Sequence, residues 1–127
     1  MHEKKIENIS ALSPQERTNY FIRKVCDFES VWGLFSESGW VTSVSKLGSI
    51  GFPVWPESSF ASACATGEWT GTTPKEIFLQ DFIEKWLPGL SSDSRYVAVF
   101  PVPNSQHQEA PPLTLQNQLC SELQQYE

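Results

Sequence analysis

Most of the groups that enzymes draw on are scarce in this sequence. Its 127 residues include two His, three Cys and a single Met. His2 lies in a polar terminus and His107 in a polar, Pro-flanked stretch, and neither suggests an orienting acid for a proton shuttle. No G-x-S-x-G turn is present to raise a nucleophilic serine, and a Cys nucleophile lacks a base. Cys26, Cys64 and Cys120 are odd in number, widely spaced and free of any C-x-x-C pair. That excludes a disulfide framework or a zinc ribbon, and reduced thiols in the cytoplasm are expected. Gly48, Gly51, Gly67, Gly71 and Gly89 are separate turn glycines rather than a phosphate loop. No catalytic residue, metal site or cofactor is therefore expected.

Other absences bear on partners. No apolar run approaches the roughly 18 residues of a membrane-spanning helix. Met1 to Ser10 carries Glu3, Lys4, Lys5 and Glu7 and lacks the apolar region of a signal peptide. Nine basic residues against fifteen acidic ones leave a net charge of −6, and the bases are scattered. Nucleic-acid binding needs clustered Lys and Arg, so it is not expected.

Aromatic residues are what the chain has in plenty. There are five Trp, eight Phe and three Tyr, and only Tyr126 lies outside the span from Tyr20 to Phe100. That much apolar surface offsets the entropy of ordering one domain, and the length leaves no room for two full-sized ones. The reading is a flexible N-terminus over 1–11, one α+β domain over 12–101, a Pro-rich arm over 102–112 and a C-terminal helix over 113–127.

Ser13-Pro14-Gln15-Glu16 is a capping box with Pro at the first helical position. It opens a helix whose core stripe is Phe21, Val25 and Phe28, widened by Ile22. Three short strands follow, Ser30 to Phe35, Trp40 to Val44 and Ile50 to Trp55, predicted to form an antiparallel meander. Pro56 opens a second helix, capped at Gly67. A short strand near Ile77 to Leu79 leads into a third helix ended by Pro88-Gly89. Tyr96 to Phe100 is nearly all apolar and reads as a central strand closed by Pro101. The last helix carries Leu115, Leu119, Leu123 and Tyr126 in a stripe that serves docking on the sheet or a homodimer. The predicted order is α-β-β-β-α-(β)-α-β-α, a small, largely antiparallel sheet covered by helices.

The tryptophans are the remaining place for a site. Trp32, Trp40 and Trp86 fall on strands or a helix face and read as core. Trp55 stands at a strand end and Trp69 in a loop beside Glu68. Aromatics at strand ends and adjoining loops are where a ligand or partner surface lies, so Trp55, Glu68 and Trp69 are the candidate binding residues.

Several blocks resemble a known family. They are L-S-P-Q-E-R at 12–17, F-I-R-K-V-C-D-F-E-S-V-W-G-L at 21–34, G-W at 39–40, F-P-V-W-P at 52–56, A-T-G-E-W at 65–69, F-I-E-K-W-L-P-G-L at 82–90 and V-A-V-F-P at 97–101. Over about residues 12 to 101 the chain resembles the bacterial family catalogued as domain of unknown function 2750. That resemblance implies a cytosolic bacterial protein and carries no activity with it. The pattern of elements is also similar to the amino-terminal domain of the serine-sensitivity enhancing proteins and to toxin-immunity families, which are interaction proteins. Two functions are therefore expected in order: a non-enzymatic protein-interaction module of immunity or accessory type, and a small-ligand-binding domain with an aromatic pocket.

Overall fold

The computed structural model describes residues 8–9, 11–45, 47–103 and 108–125. Helix α1 (Pro14–Phe28) starts at the capping box read from the sequence: Ser13 N–H donates to Glu16 Oε1 at 3.0 Å, and Glu16 N–H to Ser13 Oγ at 3.1 Å. Phe21 and Val25 are fully buried, but Phe28 is exposed at the helix end, and the stripe is completed by Tyr20, Ile22 and Cys26 instead.

The strands do not form the single meander expected. β1 (Ser30–Ser36) makes a hairpin with β2 (Gly39–Trp40), and its other edge is taken by β5 (Thr73–Phe78). β3 (Ser43–Val44) pairs with β4 (Ile50–Val54) in a second sheet, ordered β3-β4-β6-β7 with β6 (Tyr96–Val99) and β7 (Gln108–Ala110). The expected second strand, 40–44, is thus divided, with Trp40 in one sheet and Ser43–Val44 in the other. β4 and β6 run parallel, and the other pairs are antiparallel. The class is α+β as predicted, with two sheets in place of one. β6 lies between β4 and β7 with Val97, Ala98 and Val99 fully buried, which bears out its central position. A Cβ at Gly51 would overlap the Tyr96 ring, so only glycine lets Tyr96 cross β4 at that register.

One bridge joins the two sheets. Trp32 N–H donates to Trp55 O at 2.9 Å and Trp55 N–H to Trp32 O at 2.8 Å. Behind it lie α2 (Ser58–Ala63), a 3₁₀ turn (Gly67–Trp69) and the helical run 79–92, called α3. α2 ends at Cys64 rather than at Gly67, which opens the 3₁₀ turn with a φ of 58°.

The segment read as a Pro-rich arm contributes β7, whose Gln108 is tied to α1: Thr18 Oγ1 donates to Gln108 Oε1 at 2.8 Å and Gln108 Nε2 to Gln15 Oε1 at 2.9 Å. Helix α4 (Pro112–Gln124) packs on α1 and α3, with Leu115 and Leu119 fully buried; Tyr126 lies outside the described residues, as do 1–7 of the expected flexible terminus. Among the described residues no helix is long and apolar enough to cross a membrane.

Burial in this core sets an alkaline limit. It pushes the Cys26 and Cys64 thiols up from 9.0 to about 11, and the Tyr20 hydroxyl, also bonded to Glu57, up from 10.0 to about 12. Each raised value means the fold favours the protonated form. That stability is whole below pH 9 and is lost as pH rises through about 11 for the thiols, then about 12 for Tyr20. The melting temperature is expected to fall steadily between pH 9 and 11; a flat profile there would remove these groups from the stability balance.

Candidate functional site

The three residues singled out from sequence are only partly brought together. Trp55 is 0% exposed, and its Nε1–H donates to Pro101 O at 2.8 Å. The Trp69 ring meets it edge to face at 6.0 Å and 89°, and Trp69 is half-buried. Glu68 is exposed in the 3₁₀ turn and bonds neither ring. Trp55 presents no face to a ligand, so the expected Trp55–Glu68–Trp69 surface is not assembled. Trp55 is instead a core residue at the junction of the sheets.

A second group of aromatics lines a surface cleft. Trp40, Phe52 and Trp86 line a cleft of about 470 Å³. Phe52 and Trp86 stack with centroids 5.0 Å apart at 23°, and Trp40 stands edge-on to both, at 5.7 Å from Phe52 and 5.1 Å from Trp86. Phe35 continues the row at 5.1 Å from Trp40, and Lys75 Nζ covers its far end 4.0 Å above the Phe35 ring. Such offset and edge-to-face contacts each add roughly 0.5–1.5 kcal/mol beyond area burial. Gly33 makes the arrangement possible: a Cβ there would stand 2.9 Å from Trp40 Cζ3.

Trp86 reaches the cleft because α3 is not a regular helix. Leu79–Asp81 is α-helical, Phe82–Trp86 is a π turn, and Leu87–Ser92 is α-helical again. Leu87 N–H reaches back to Phe82 O, five residues away, in the π pattern. Pro88 has no N–H to continue it. The Ile83 carbonyl is taken instead by Gln116 Nε2 of α4 at 2.9 Å. The wide turn lets the chain pass through Pro88-Gly89, which was read as the helix end. It also moves Trp86 off the fully buried stripe of Phe82 and Leu87 to a half-buried rim position. Gln116→Ala is expected to lower stability by about 1 kcal/mol and to raise hydrogen exchange across 82–88. A change in stability with no change in that exchange would separate Gln116 from the π turn.

Charge sits on the cleft rim. Lys85, Asp93 and Arg95 line it, and all are exposed. Lys85 Nζ is 3.6 Å from Asp81 Oδ1 one turn earlier. Arg95 is fixed through its backbone, with N–H on Leu90 O at 2.9 Å, while its guanidinium bonds no described residue. Among the described residues no cluster of His, Cys, Asp and Glu could hold a metal ion.

A family model described as "Protein of unknown function (DUF2750)" matches residues 18–119. The chain belongs to this family. No curated protein and no solved structure matches it. The DUF2750 match runs from within α1 to Leu119 of α4; against the 12–101 span of the sequence resemblance it starts six residues later and extends farther toward the C-terminus. It therefore takes in the three cleft aromatics, the π turn and the Gln116 that completes it. Sequence reasoning missed this site because Trp40 and Trp86 each fit a core pattern locally. The available signal was W-L-P-G at 86–89, a proline and a glycine directly after an aromatic inside a helical stripe.

Proposed function

We propose that this protein is a binding module that holds a small planar ligand in the Trp40–Phe52–Trp86 cleft. The observation that carries the reading is the half-exposed Trp86 ring, backed by the buried Phe52 at 5.0 Å and walled by the half-exposed Trp40, on a cleft of about 470 Å³. Volumes of roughly 300–1,000 Å³ with aromatic linings and a few polar groups are typical of small-molecule sites. The stack is held from three directions, by β2, β4 and α3, so the rings are ordered before a ligand arrives.

Ligand-observed NMR with planar aromatic fragments tests this. Fragments are expected to bind the parent and to lose roughly tenfold in affinity in Trp86→Leu, since one stacking partner contributes about 1–3 kcal/mol. Trp69→Leu, which does not line the cleft, should leave them unchanged. Equal binding to parent and Trp86→Leu would remove the cleft from the reading.

Protein interaction, the first expectation from sequence, draws on a different feature. Val44, Leu47 and Ile50 on the β3–β4 hairpin are 68%, 95% and 39% exposed. An interface built there makes recovery of a stoichiometric partner depend on Val44 and Leu47 and not on Trp86.

A further inference from the structure

The cleft rim carries two cations and one acid in a chain whose net charge is −6. With Asp81 set against Lys85 the rim is close to neutral, where the protein as a whole is acidic. The two cations are not equivalent. Lys85 already faces Asp81 at 3.6 Å, whereas the Arg95 guanidinium has no described partner. Arg95 stands just before β6, anchored by its N–H on Leu90 O at 2.9 Å, so its Cα is tied to the end of α3. A guanidinium is a planar fork of donors that matches a carboxylate or phosphate edge in two hydrogen bonds. The same cleft is lined by the half-exposed rings of Trp86 and Trp40, which take a flat ring.

Resting on the reading of the cleft as a small-ligand site, we propose that the ligand is an aromatic acid. Its ring packs on Trp86 against the Trp40 wall, and its anionic group, a carboxylate or a phosphate, is taken by Arg95. Lys85 adds a weaker, shared attraction because Asp81 already offsets its charge. Asp93 on the same rim opposes an anion and limits the affinity. Asp93 and Arg95, two residues apart just before β6, thus act with opposite signs.

Calorimetric titration of the full chain with three probes of one ring system tests the assignment. The probes are naphthoate, naphthyl phosphate and the uncharged naphthamide. At least one acid is expected to bind roughly five- to tenfold more tightly than the amide at low salt. That advantage should shrink as salt is raised, because the pair is exposed. Arg95→Gln should bring the acids down to the affinity of the amide and leave the amide unchanged. Asp93→Asn should strengthen the acids and leave the amide unchanged. Both side chains are exposed, so both variants should fold like the parent. Whether carboxylate or phosphate binds more tightly identifies which anion the rim is built for. Amide and acids binding alike, or an acid preference that survives Arg95→Gln, overturns the anion assignment while leaving the cleft standing. Equal weakening of all three probes by Arg95→Gln also overturns it, since that is a change of cleft shape. Binding of none of the three overturns the cleft reading and this assignment with it.

Discussion

Arg17→Met is expected to cost about 3–5 kcal/mol of folding stability, among the largest effects of any single change in this chain. Arg17 is 0% exposed. Its Nε donates to Phe100 O at 3.2 Å and its NH1 to Leu12 O at 2.7 Å. Hydrogen bonds to a charged group are each worth roughly 1.5–3 kcal/mol net. Their removal leaves two carbonyls facing an apolar stem. The Phe100 contact has a second consequence. Phe100 has a φ of 52°, a left-handed conformation that costs a bulky residue roughly 1–3 kcal/mol. It is held there from both sides, by Arg17 on its carbonyl and by Val54 O on its N–H at 2.9 Å. This turn takes the chain out of β6 and sets Pro101 against Trp55. Methionine keeps the stem and removes only the donors, so it isolates the polar contribution from the packing. Arg17→Lys is expected to fare nearly as badly, because one ammonium does not span carbonyls contributed from opposite sides of a planar fork. Urea denaturation followed by Trp fluorescence reads both. A loss below about 1 kcal/mol for Arg17→Met would show that water or a shifted side chain replaces these bonds at little cost.

Nothing in the sequence marks Arg17 as buried. It stands in S-P-Q-E-R-T-N, a polar helix start where an arginine ordinarily faces solvent. Two of its partners are 5 and 83 residues away, and the longer contact exists only once β6 has been placed. The same division runs through the whole fold. Features with a local cause were legible: the Ser13–Glu16 box, the strand read at 30–35, the apolar run of β6. Features decided by pairing were not. Any two of the short strands have side-chain patterns that permit a meander, and pattern does not say that β1 prefers β5 to β3 or that β4 runs parallel to β6. The candidate site failed for the same reason. Local reasoning sorted the tryptophans by element, giving Trp40 and Trp86 to the core and Trp55 to the surface. Burial is settled by what the other sheet and the other helix bring, and the sorting comes out reversed at all three positions: Trp55 is fully buried, and Trp40 and Trp86 are half-exposed on a cleft.

Trp55→Ala is the second change with a large expected effect, a loss of about 3–5 kcal/mol, the range for emptying a large aromatic site. Typical domain stabilities are roughly 5–15 kcal/mol, so this variant can reach the edge of folding. Milder changes separate its roles. Trp55→Phe keeps most of the ring volume and removes the Nε1–H that donates to Pro101 O at 2.8 Å. That carbonyl has a second donor, the Cys64 thiol at 3.3 Å. Either donor alone can satisfy it, so Trp55→Phe and Cys64→Ala should each cost about 1–2 kcal/mol. Together they leave a buried carbonyl with neither donor. The double variant should therefore exceed the sum of the two by roughly 0.5–1.5 kcal/mol, a coupling of the sign produced by a shared partner. Simple additivity in denaturant midpoints would mean that the carbonyl finds another donor. The backbone role is separate again. The paired bonds between Trp32 and Trp55 do not depend on the indole, so Trp55→Phe should leave the amide exchange of residues 32 and 55 slow. In Trp55→Ala the cavity opens beside that bridge, and both amides should exchange faster than those of β1 farther along the strand.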